Sequence, residues 1–370
     1  MSKNICIVTT GLSGGGVARV VLSLAQAFYK LNCRVDIFVL DFDARNSYPT
    51  NEFDFNIHIV NKKKSSCSAK KLEQVVRYIE AIQNIKHLKN KISEVGVSFD
   101  LTISNKLLTD ISCKKLNLPN TNYCIHTSLS QSFGFDKKNT IFRFIRSFLI
   151  RQTYKNQDLI TVSKGVKQDL LKFGVQPKTI KTIYNPFDFN KIRQQSKEYQ
   201  VYEQDYVIHV GYFRMVKRHD ILIKAYKQSG IEQKLLLFGY DSESNGKNAR
   251  QLVLDLGLQG KVFFKGFNPN PYPYIKNAKA MILSSDFEGL PTVLIESLIL
   301  GTPVVSTNCP SGPSEILIDE LKPFLSPVGD VNALAKNIKK MVENPIKITD
   351  KYINRFSAEK SVAQYLALCN

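Results

Sequence analysis

The 370-residue sequence lacks any apolar run of the ~18–20 residues that a transmembrane helix needs. Its first residues, Met1–Val8, lead directly into a strand-like pattern, which predicts that no signal peptide is present. Tryptophan is absent, and the seven cysteines are scattered without a C-x-x-C pair. This cysteine pattern argues against a disulfide framework or a zinc site and predicts free thiols in a cytoplasmic protein.

Acidic residues are too few to balance the basic ones. The chain has 51 Lys and Arg against 32 Asp and Glu, a formal net charge of +19, and the excess lies mostly in residues 1–190. Such a charge favours a polyanionic partner: nucleic acid, an anionic membrane surface or a phosphorylated small molecule. No zinc-finger spacing, helix-turn-helix spacing or RNP-like strand is present, so we predict no nucleic-acid partner. A lysine-rich surface that simply faces solvent is the alternative explanation.

Short β-rich runs alternate with amphipathic helical patterns along the whole chain. Continuous apolar strands are typical of parallel sheets that are covered on both faces. The strands of the first series are predicted at Asn4–Thr10, Arg34–Leu40, Phe55–Val60, Phe99–Ile103, Asn122–His126, Asp158–Val162 and Thr179–Tyr184. Those of the second series are predicted at Tyr206–Val210, Lys234–Phe238, Lys261–Phe264, Ala280–Leu283 and Pro303–Ser306.

Two consecutive βαβα series predict an α/β protein with two facing, doubly wound, Rossmann-like domains. The polar stretch after Tyr184-Asn185-Pro186 separates the two series and reads as a hinge. We therefore predict a first domain over residues 1–187 and a second domain over residues 188–351. A last helix is predicted at Tyr352–Leu368, and the segment 352–370 is expected to pack back on the first domain.

The first strand-to-helix turn carries three successive glycines, Gly14, Gly15 and Gly16. Glycines there let the backbone approach a ligand closely and leave helix N–H groups free for an anion. Arg19 breaks a G-x-G-x-x-G pattern, and no Gly-Lys-Ser/Thr of a P-loop follows. A dehydrogenase or an NTPase is therefore disfavoured, while a tight turn without a ligand stays open as an alternative.

The stretch Ser285–Glu296 is the strongest candidate site, because it follows an apolar strand and opens a helix. The predicted first helical position is Pro291, which has no N–H. The predicted anion-binding amides, which suit a diphosphate, belong to Gly289, Leu290, Thr292 and Val293. Glu288 and Glu296 lie eight residues apart, and each is expected to accept hydrogen bonds from hydroxyl groups. Spacing alone would equally allow a loop glutamate and a helix-surface glutamate.

These residues together resemble family 4 of the retaining, nucleotide-sugar-dependent glycosyltransferases, which have the GT-B fold. The family's E-x7-E motif corresponds to Glu288 and Glu296. Further segments resemble motifs of the family and occur in the family's order along nearly the whole chain. They are the glycine turn with Val17-Ala18-Arg19, Val162–Val166, Ile183–Pro186, and Gly211 followed by Lys217–Asp220.

The resemblance implies that residues 1–187 form the acceptor-side domain and residues 188–351 the nucleotide-sugar-binding domain. It also implies roles for the matching residues. Glu288 would contact the donor sugar, Glu296 would hold the ribose, and Lys217 with the amides after Glu288 would hold the diphosphate. From the first domain, Gly15 and Gly16 would close over the phosphates, and His126 at a strand end would lie near the sugar.

One position departs from the family pattern. Tyr212 stands where the family has arginine, and Arg214 is the residue that we expect to reach the diphosphate instead. A cation need only come near the phosphate oxygens to neutralise the charge that develops on the leaving group.

Two further patterns bear on partners. Asp41 and Asp43 form a D-x-D pair, but such pairs are common in turns, so we predict no metal and no cofactor beyond the co-substrate. The segment Lys137–Lys155 mixes apolar residues with arginines and predicts a basic amphipathic helix. Such a helix could lie on an anionic membrane, or it could pack on its own sheet with its basic side chains in solvent.

The sequence thus predicts a retaining, metal-independent glycosyltransferase in the cytoplasm, with a peripheral position on the inner face of the plasma membrane as a further expectation. The donor would be a nucleotide diphosphate hexose or N-acetylhexosamine, with UDP favoured. The acceptor would be a hydroxyl of a surface glycan intermediate, such as lipopolysaccharide, O-antigen or capsule, including lipid-linked forms. Another GT-B enzyme acting on sugar phosphates (an epimerase or a phosphorylase) and a non-enzymatic anion-binding protein remain alternatives.

Overall fold

The computed structural model describes residues 2–12, 15–42, 53–62, 85–130, 140–240 and 245–369. The chain divides into two compact units. The first comprises Met1–Val162, Val166–Pro186 and Ala358–Asn370, and the second comprises Ser163–Gly165 and Phe187–Ser357. Within the described ranges, every helix is too short or too polar to cross a bilayer.

The first unit is built on a seven-stranded parallel sheet with the order β3-β2-β1-β4-β5-β6-β7. Its strands are β1 (Asn4–Thr9), β2 (Arg34–Phe42), β3 (Asn56–Lys62), β4 (Leu101–Asn105), β5 (Thr121–Ile125), β6 (Asp158–Thr161) and β7 (Thr179–Thr182). Its helices are α1 (Gly16–Lys30), α2 (residues 85–95), α3 (Leu107–Lys115), α4 (Thr140–Tyr154), α5 (Lys164–Lys172) and the C-terminal α13 (Ala358–Leu366). The strand order reverses between β1 and β4, where a doubly wound sheet opens its ligand crevice.

The second unit has a six-stranded parallel sheet with the order β10-β9-β8-β11-β12-β13. Its strands are β8 (Tyr206–Val210), β9 (Lys234–Phe238), β10 (Val262–Gly266), β11 (Met281–Leu283), β12 (Val304–Thr307) and β13 (Leu325–Ser326). Its helices are α6 (Phe189–Gln195), α7 (His219–Ser229), α8 (Asn245–Asp255), α9 (Tyr272–Asn277), α10 (Thr292–Ile299), α11 (Pro313–Ile316) and α12 (Val331–Glu343). Short 3-10 turns lie at Met215–Lys217, Asp319–Phe324, Asp350–Tyr352 and Asn354–Phe356. Here the order reverses between β8 and β11.

The apolar runs of the sequence form the buried centres of these sheets. β4 and β12 are buried at every residue, and β1 at all but its first. In α1, the apolar side chains at Val20, Val21, Leu24, Ala25 and Phe28 are all buried. Both observations confirm the prediction of an α/β protein whose sheets are covered on both faces.

Two elements differ from their predictions. The last helix begins at Ala358 instead of Tyr352, because Ser357 is extended and pairs with Phe187 as an isolated β-bridge. Residues 350–356 therefore form two 3-10 turns before the helix. β13 has only two residues, too few to show a period in the sequence. In the first unit α13 packs on α1, with the rings of Phe28 and Tyr365 edge to face at 6.1 Å.

Candidate active site

The turn between β11 and α10 is fixed by serine and threonine side chains. The Ser284 hydroxyl donates to the Lys217 carbonyl at 2.7 Å, which ties the end of β11 to the turn after β8. The Thr307 hydroxyl donates to the Ser285 carbonyl at 2.6 Å, and the Ser163 hydroxyl donates to the Gly289 carbonyl at 2.8 Å. The turn is therefore held from three sides at the point where the strand order reverses.

The helix α10 presents its first turn without a side-chain cap. Pro291 is the capping residue, and α10 begins one residue later, at Thr292. The prediction that Pro291 is the first helical residue is therefore wrong by one position. In the part of the chain that the structure describes, the N–H groups of Gly289, Leu290, Thr292 and Val293 donate to no main-chain carbonyl. Four such donors at the positive end of a helix form an anion-binding arrangement.

Lys217 and Glu288 meet at this helix end. The Lys217 Nζ lies 2.6 Å from Glu288 Oε1, and the Ser285 hydroxyl donates to the same oxygen at 2.7 Å. Both charged side chains are partly buried. The pair places a cation and a carboxylate beside the free amides of the turn, so the same point can neutralise an anion and accept hydrogen bonds from hydroxyl groups.

Arg218 and Arg214 lie differently, although both follow β8. Arg218 donates to both carboxylate oxygens of Asp220 at 2.9 Å and to Asp286 Oδ1 at 3.1 Å. The hydrogen bonds to Asp220 raise the pKa of Arg218, while burial raises the pKa of Asp286 in spite of the nearby guanidinium. Arg214 is exposed, and its guanidinium stacks over the Tyr212 ring at 5.4 Å. Arg218 is thus engaged by carboxylates, whereas Arg214 is exposed.

Two buried histidines lie close to Lys217. His209 Nδ1 bonds the Ile282 carbonyl at 2.9 Å, and the His219 ring stacks on Phe213 at 4.2 Å. Burial lowers the pKa of His209 to about 4 and that of His219 to about 2, and the Lys217 ammonium lowers both further. Both imidazoles are therefore neutral near pH 7, and neither adds a second positive charge beside the lysine.

Glu296 is buried on α10, and its Oε1 accepts a hydrogen bond from the Tyr272 hydroxyl at 3.2 Å. Tyr272 begins α9 and is buried as well. Glu296 is therefore not at the helix surface, the position that spacing alone allowed for it. No local sequence pattern indicated Tyr272, because it contacts Glu296 only through the packing of α9.

Cys309 is a second residue that the sequence did not indicate, and it lies near Glu288 and Lys217. Burial raises the pKa of its thiol, and the negative charge of Glu288 raises it further. The thiol is protonated at neutral pH and is not a nucleophile there. Gly312, three residues on, packs so closely that a Cβ would lie 2.5 Å from Pro291 Cδ.

The remaining predicted residues belong to the first unit. Gly16 begins α1 with Gly15 as its capping residue. His126 follows β5, and its Nε2 lies 2.7 Å from the Asn105 side-chain oxygen at the end of β4. Burial lowers the pKa of His126 to about 4, helped by the Lys106 ammonium, so its imidazole is neutral near pH 7. It can hydrogen-bond a hydroxyl group but is not a ready proton donor; Asn105 is the partner that the sequence analysis missed.

The D-x-D pair falls partly outside the described residues, since Asp41 is exposed on β2 and Asp43 is not described. Among the residues that are described, no three His, Cys, Asp or Glu side chains cluster as metal ligands would.

Comparison with known proteins identifies the family of the chain. Residues 188–359 match the family described as Glycosyl transferases group 1, and residues 14–191 match Glycosyltransferase Family 4. An N-acetylgalactosamine-N,N'-diacetylbacillosaminyl-diphospho-undecaprenol 4-alpha-N-acetylgalactosaminyltransferase of Campylobacter jejuni is 27% identical over 355 residues, which are 95% of this chain and 93% of that protein.

Two solved structures share the fold over nearly the whole chain. Sucrose-phosphate synthase of Thermosynechococcus elongatus superposes with a TM-score of 0.73 at 20% identity, covering 100% of this chain and 95% of that one. Anabaena HepE, solved with UDP and glucose, superposes with a TM-score of 0.71 at 19% identity, covering 99% and 97%. The chain belongs to the family 4 glycosyltransferases and has their GT-B fold.

Proposed function

We propose that this glycosyltransferase moves a hexose or N-acetylhexosamine from a UDP-sugar to a hydroxyl of a lipid-linked glycan, with retention of configuration and without a metal ion. The observation that carries the proposal is the Lys217–Glu288 pair beside the open amides of α10. The names of similar proteins support the substrates: the Campylobacter relative acts on a diphospho-undecaprenol glycan, and HepE was solved with UDP.

The diphosphate of the donor would bind at the first turn of α10. The N–H groups of Gly289, Leu290, Thr292 and Val293 would donate to its oxygens, and the Lys217 ammonium would supply the positive charge. Arg214 is exposed and can swing toward the same oxygens, whereas Arg218 would first have to leave two carboxylates. These groups would stabilise the negative charge on the diphosphate of the leaving UDP. In metal-dependent enzymes a metal ion balances this charge.

Glu288 would exchange its partner when the donor binds. In the free protein its Oε1 accepts from Lys217 and Ser285. Once Lys217 turns to the diphosphate, this oxygen can accept hydrogen bonds from sugar hydroxyls and orient the anomeric carbon. Glu296, oriented by Tyr272, would hold the ribose. His126, as a neutral imidazole, would form a hydrogen bond with a hydroxyl group of the sugar.

The proton balance of the transfer follows from these groups. The bond from the anomeric carbon to the diphosphate oxygen breaks, and the acceptor oxygen forms a new bond on the same face of the sugar. The acceptor proton passes to the departing diphosphate oxygen, so no side chain of the protein is needed as a general base. Gly15 and Gly16 at the start of α1 would contribute main-chain contacts to the phosphates.

A membrane-linked acceptor would hold the enzyme at a bilayer surface. We place it in the cytoplasm, at the inner face of the plasma membrane. The cysteines support a reducing compartment: those of the described part are free, and all of them except Cys369 are buried.

The test is UDP release from a panel of UDP-sugars, with and without a polyprenyl-diphosphate-linked oligosaccharide. We expect release that requires the acceptor, survives EDTA, and gives a product whose anomeric configuration by NMR matches the donor's. Loss of activity in EDTA with rescue by Mg²⁺ or Mn²⁺ would overturn the metal-free mechanism. UDP binding without transfer would favour an anion-binding protein, and phosphate-dependent release of a sugar phosphate would favour a phosphorylase.

A further inference from the structure

His209 on β8 is a buried histidine with only one of its ring nitrogens in use. Its Nδ1 lies 2.9 Å from the Ile282 carbonyl on β11, and because a carbonyl only accepts hydrogen bonds, Nδ1 carries the proton. The Nε2 of this neutral ring therefore has a lone pair and no proton. It is buried, and among the described residues no donor reaches it. A buried acceptor without a donor costs stability, so this nitrogen needs an explanation.

The Lys217 side chain passes close to this nitrogen. A Cβ placed on Gly211 would lie 3.1 Å from His209 Nε2 and 3.7 Å from Lys217 Cε. The two side chains therefore approach the same side of Gly211, which has no side chain to separate them. The charges of Lys217 and Glu288 both act on the His209 ring, in agreement with this closeness. The Lys217 ammonium, which pairs with Glu288, thus has an unused acceptor in its neighbourhood.

Donor binding changes the partners that the Lys217 ammonium needs. An ammonium group has three N–H donors that point in different directions. In the free protein one of them goes to Glu288 Oε1 at 2.6 Å. In the proposed function the diphosphate takes the lysine from Glu288, and the donors that do not face the phosphate then need a new acceptor. A neutral imidazole suits this position, because it orients the ammonium and leaves its positive charge to the phosphate.

We propose that His209 is a positioning residue for Lys217: once the diphosphate has displaced Glu288, the ammonium donates one hydrogen bond to His209 Nε2 and the others to phosphate oxygens. The inference rests on the proposed function, since it requires a nucleotide diphosphate at the start of α10. His209 itself would act only through the lysine and would not contact the donor.

The experiment is titration of the full chain with UDP in a double-mutant cycle of His209→Asn and Lys217→Met. Asparagine can still donate to the Ile282 carbonyl but has no atom at the position of Nε2, and methionine keeps the length of lysine without its charge. We expect His209→Asn to raise the dissociation constant of UDP about tenfold when Lys217 is present. In the Lys217→Met background the same change should alter the constant by less than about twofold, because no ammonium remains to be held.

Two further variants separate a positioning role from a structural one. His209→Gln places an amide oxygen near the position of Nε2, so it should restore UDP affinity to within about threefold of wild type, although it gives up the bond to Ile282. The matched control is Tyr206→Phe, which removes another polar group of β8, the hydroxyl that donates to the Tyr274 carbonyl at 2.7 Å. This control should bind UDP as the wild type does.

Nitrogen NMR of labelled histidines gives a readout on the wild-type protein itself. The unprotonated Nε2 of His209 has a resonance well separated from those of protonated ring nitrogens, and this resonance moves toward them when the nitrogen accepts a hydrogen bond. Addition of UDP should cause this movement in the wild type and not in Lys217→Met. The signal that is missing from the spectrum of His209→Gln assigns the resonance.

Three results would overturn the proposal. An equal loss of UDP affinity in both backgrounds would give His209 a structural role only, and wild-type affinity of His209→Asn or an unmoved Nε2 resonance would give it none at the site. A dependence on Lys217 that followed His219→Asn instead would transfer the role to His219, whose Nε2 is also buried without a partner among the described residues.

The proposed function fails in a different way. A wild type that binds UDP but releases none from a UDP-sugar in the presence of acceptor would contradict the transfer reaction, while the binding cycle would still decide the role of His209. A wild type that does not bind UDP would overturn both proposals.

Discussion

At the scale of single residues, the candidate site depends on partners that neutralise or orient one another. Lys217 and Glu288 come from the turns after β8 and β11, more than seventy residues apart in the chain. The sequence pattern indicated both residues but not their pairing. The pairing arises because β8 and β11 are neighbours at the point where the sheet reverses its order.

At this scale we predict that the hydroxyl of Tyr272 supports nucleotide binding through Glu296. Tyr272→Phe removes the hydroxyl that donates to Glu296, and a hydrogen bond to a charged group contributes about 1.5–3 kcal/mol. We expect the dissociation constant of UDP and the KM for the donor to rise about tenfold, with kcat nearly unchanged. Isothermal titration and donor saturation curves measure both constants.

The control for Tyr272 is Tyr226→Phe, which also removes a buried tyrosine hydroxyl from the second unit. That hydroxyl donates to the Gln233 carbonyl. Its loss should leave UDP affinity at the wild-type value. Equal UDP affinity in both variants would show that Tyr272 does not orient Glu296 for the nucleotide.

Other residues of the site show what a sequence can and cannot give. Glu288 and the glycine turns lie next to recognisable strand ends, so the sequence pattern marked them as candidates, whereas spacing alone left Glu296 open to a surface position. Asn105, Tyr272, Ser163 and Gly312 act through contacts between elements distant in the chain, and such contacts leave no local pattern. The neutral state of His126 likewise follows from burial, which the sequence does not contain.

At the scale of elements, the strands were the most predictable feature. β1, β2, β8, β9 and β11 all begin and end within about two residues of their predicted limits, because buried parallel strands are continuous apolar runs. The start of α13 was less predictable. It depends on the bridge between Phe187 and Ser357, a tertiary contact that overrides helix propensity.

Gly312 sets the position of the turn before α10. Its φ is +92°, and an added Cβ would lie 2.5 Å from Pro291 Cδ and 3.0 Å from Leu290 Cα. Gly312→Ala should therefore displace the amides of the turn and weaken UDP binding by at least about tenfold, equivalent to about 1.4 kcal/mol. Titration with UDP measures the effect.

Gly329→Ala is the matched control, since Gly329 also has a positive φ of +78° but open space where the Cβ would lie. Both variants should lose stability through backbone strain of about 1 kcal/mol. Only Gly312→Ala should lose UDP affinity. If the two variants bind UDP alike, the turn is not set by this close approach.

Asp110 links three elements of the first unit. It lies on α3 and accepts hydrogen bonds from Ser104 on β4 at 2.6 Å and from Tyr154 on α4 at 2.6 Å. Burial raises its pKa from 3.8 to about 7 in spite of these two bonds. The folded state thus holds a proton that the unfolded chain releases at lower pH.

The sign of the pH effect follows from this shift. Asp110 contributes its full stability below 3.8 and loses it as the pH rises through about 7. In Asp110→Asn the fall in melting temperature between about pH 5 and about pH 8 should be smaller than in wild type, by the equivalent of a few kcal/mol. Asp158→Asn, a control that loses the ion pair with Lys178 near the surface, should keep the wild-type slope. Identical slopes in all three proteins would contradict a protonated Asp110.

At the scale of the whole molecule, the two parallel sheets place most of the candidate residues just after the carboxyl ends of strands. Gly15 and Gly16 follow β1, and His126 follows β5, in the first unit; Lys217 follows β8 and Glu288 follows β11 in the second. The net charge of +19 was a poorer guide, because it did not say which surface meets an anion. The structure locates a candidate anion site at the turn before α10.

The central claim is that Lys217 and Glu288, at the start of α10, bind and activate a nucleotide sugar. The most direct measurement is the rate of acceptor-dependent UDP release by Glu288→Gln and Lys217→Ala, with Glu320→Gln as control. Glu320 is a carboxylate of the same unit that pairs with Lys351 on the surface.

We predict that Glu288→Gln lowers the rate by on the order of 10² while UDP affinity stays within a few-fold of wild type. Lys217→Ala should lower both the rate and the affinity, because the loss of a charged hydrogen bond costs about 1.5–3 kcal/mol. Glu320→Gln should release UDP at the wild-type rate. Wild-type release by both Glu288→Gln and Lys217→Ala would contradict the assignment of this turn as the donor site.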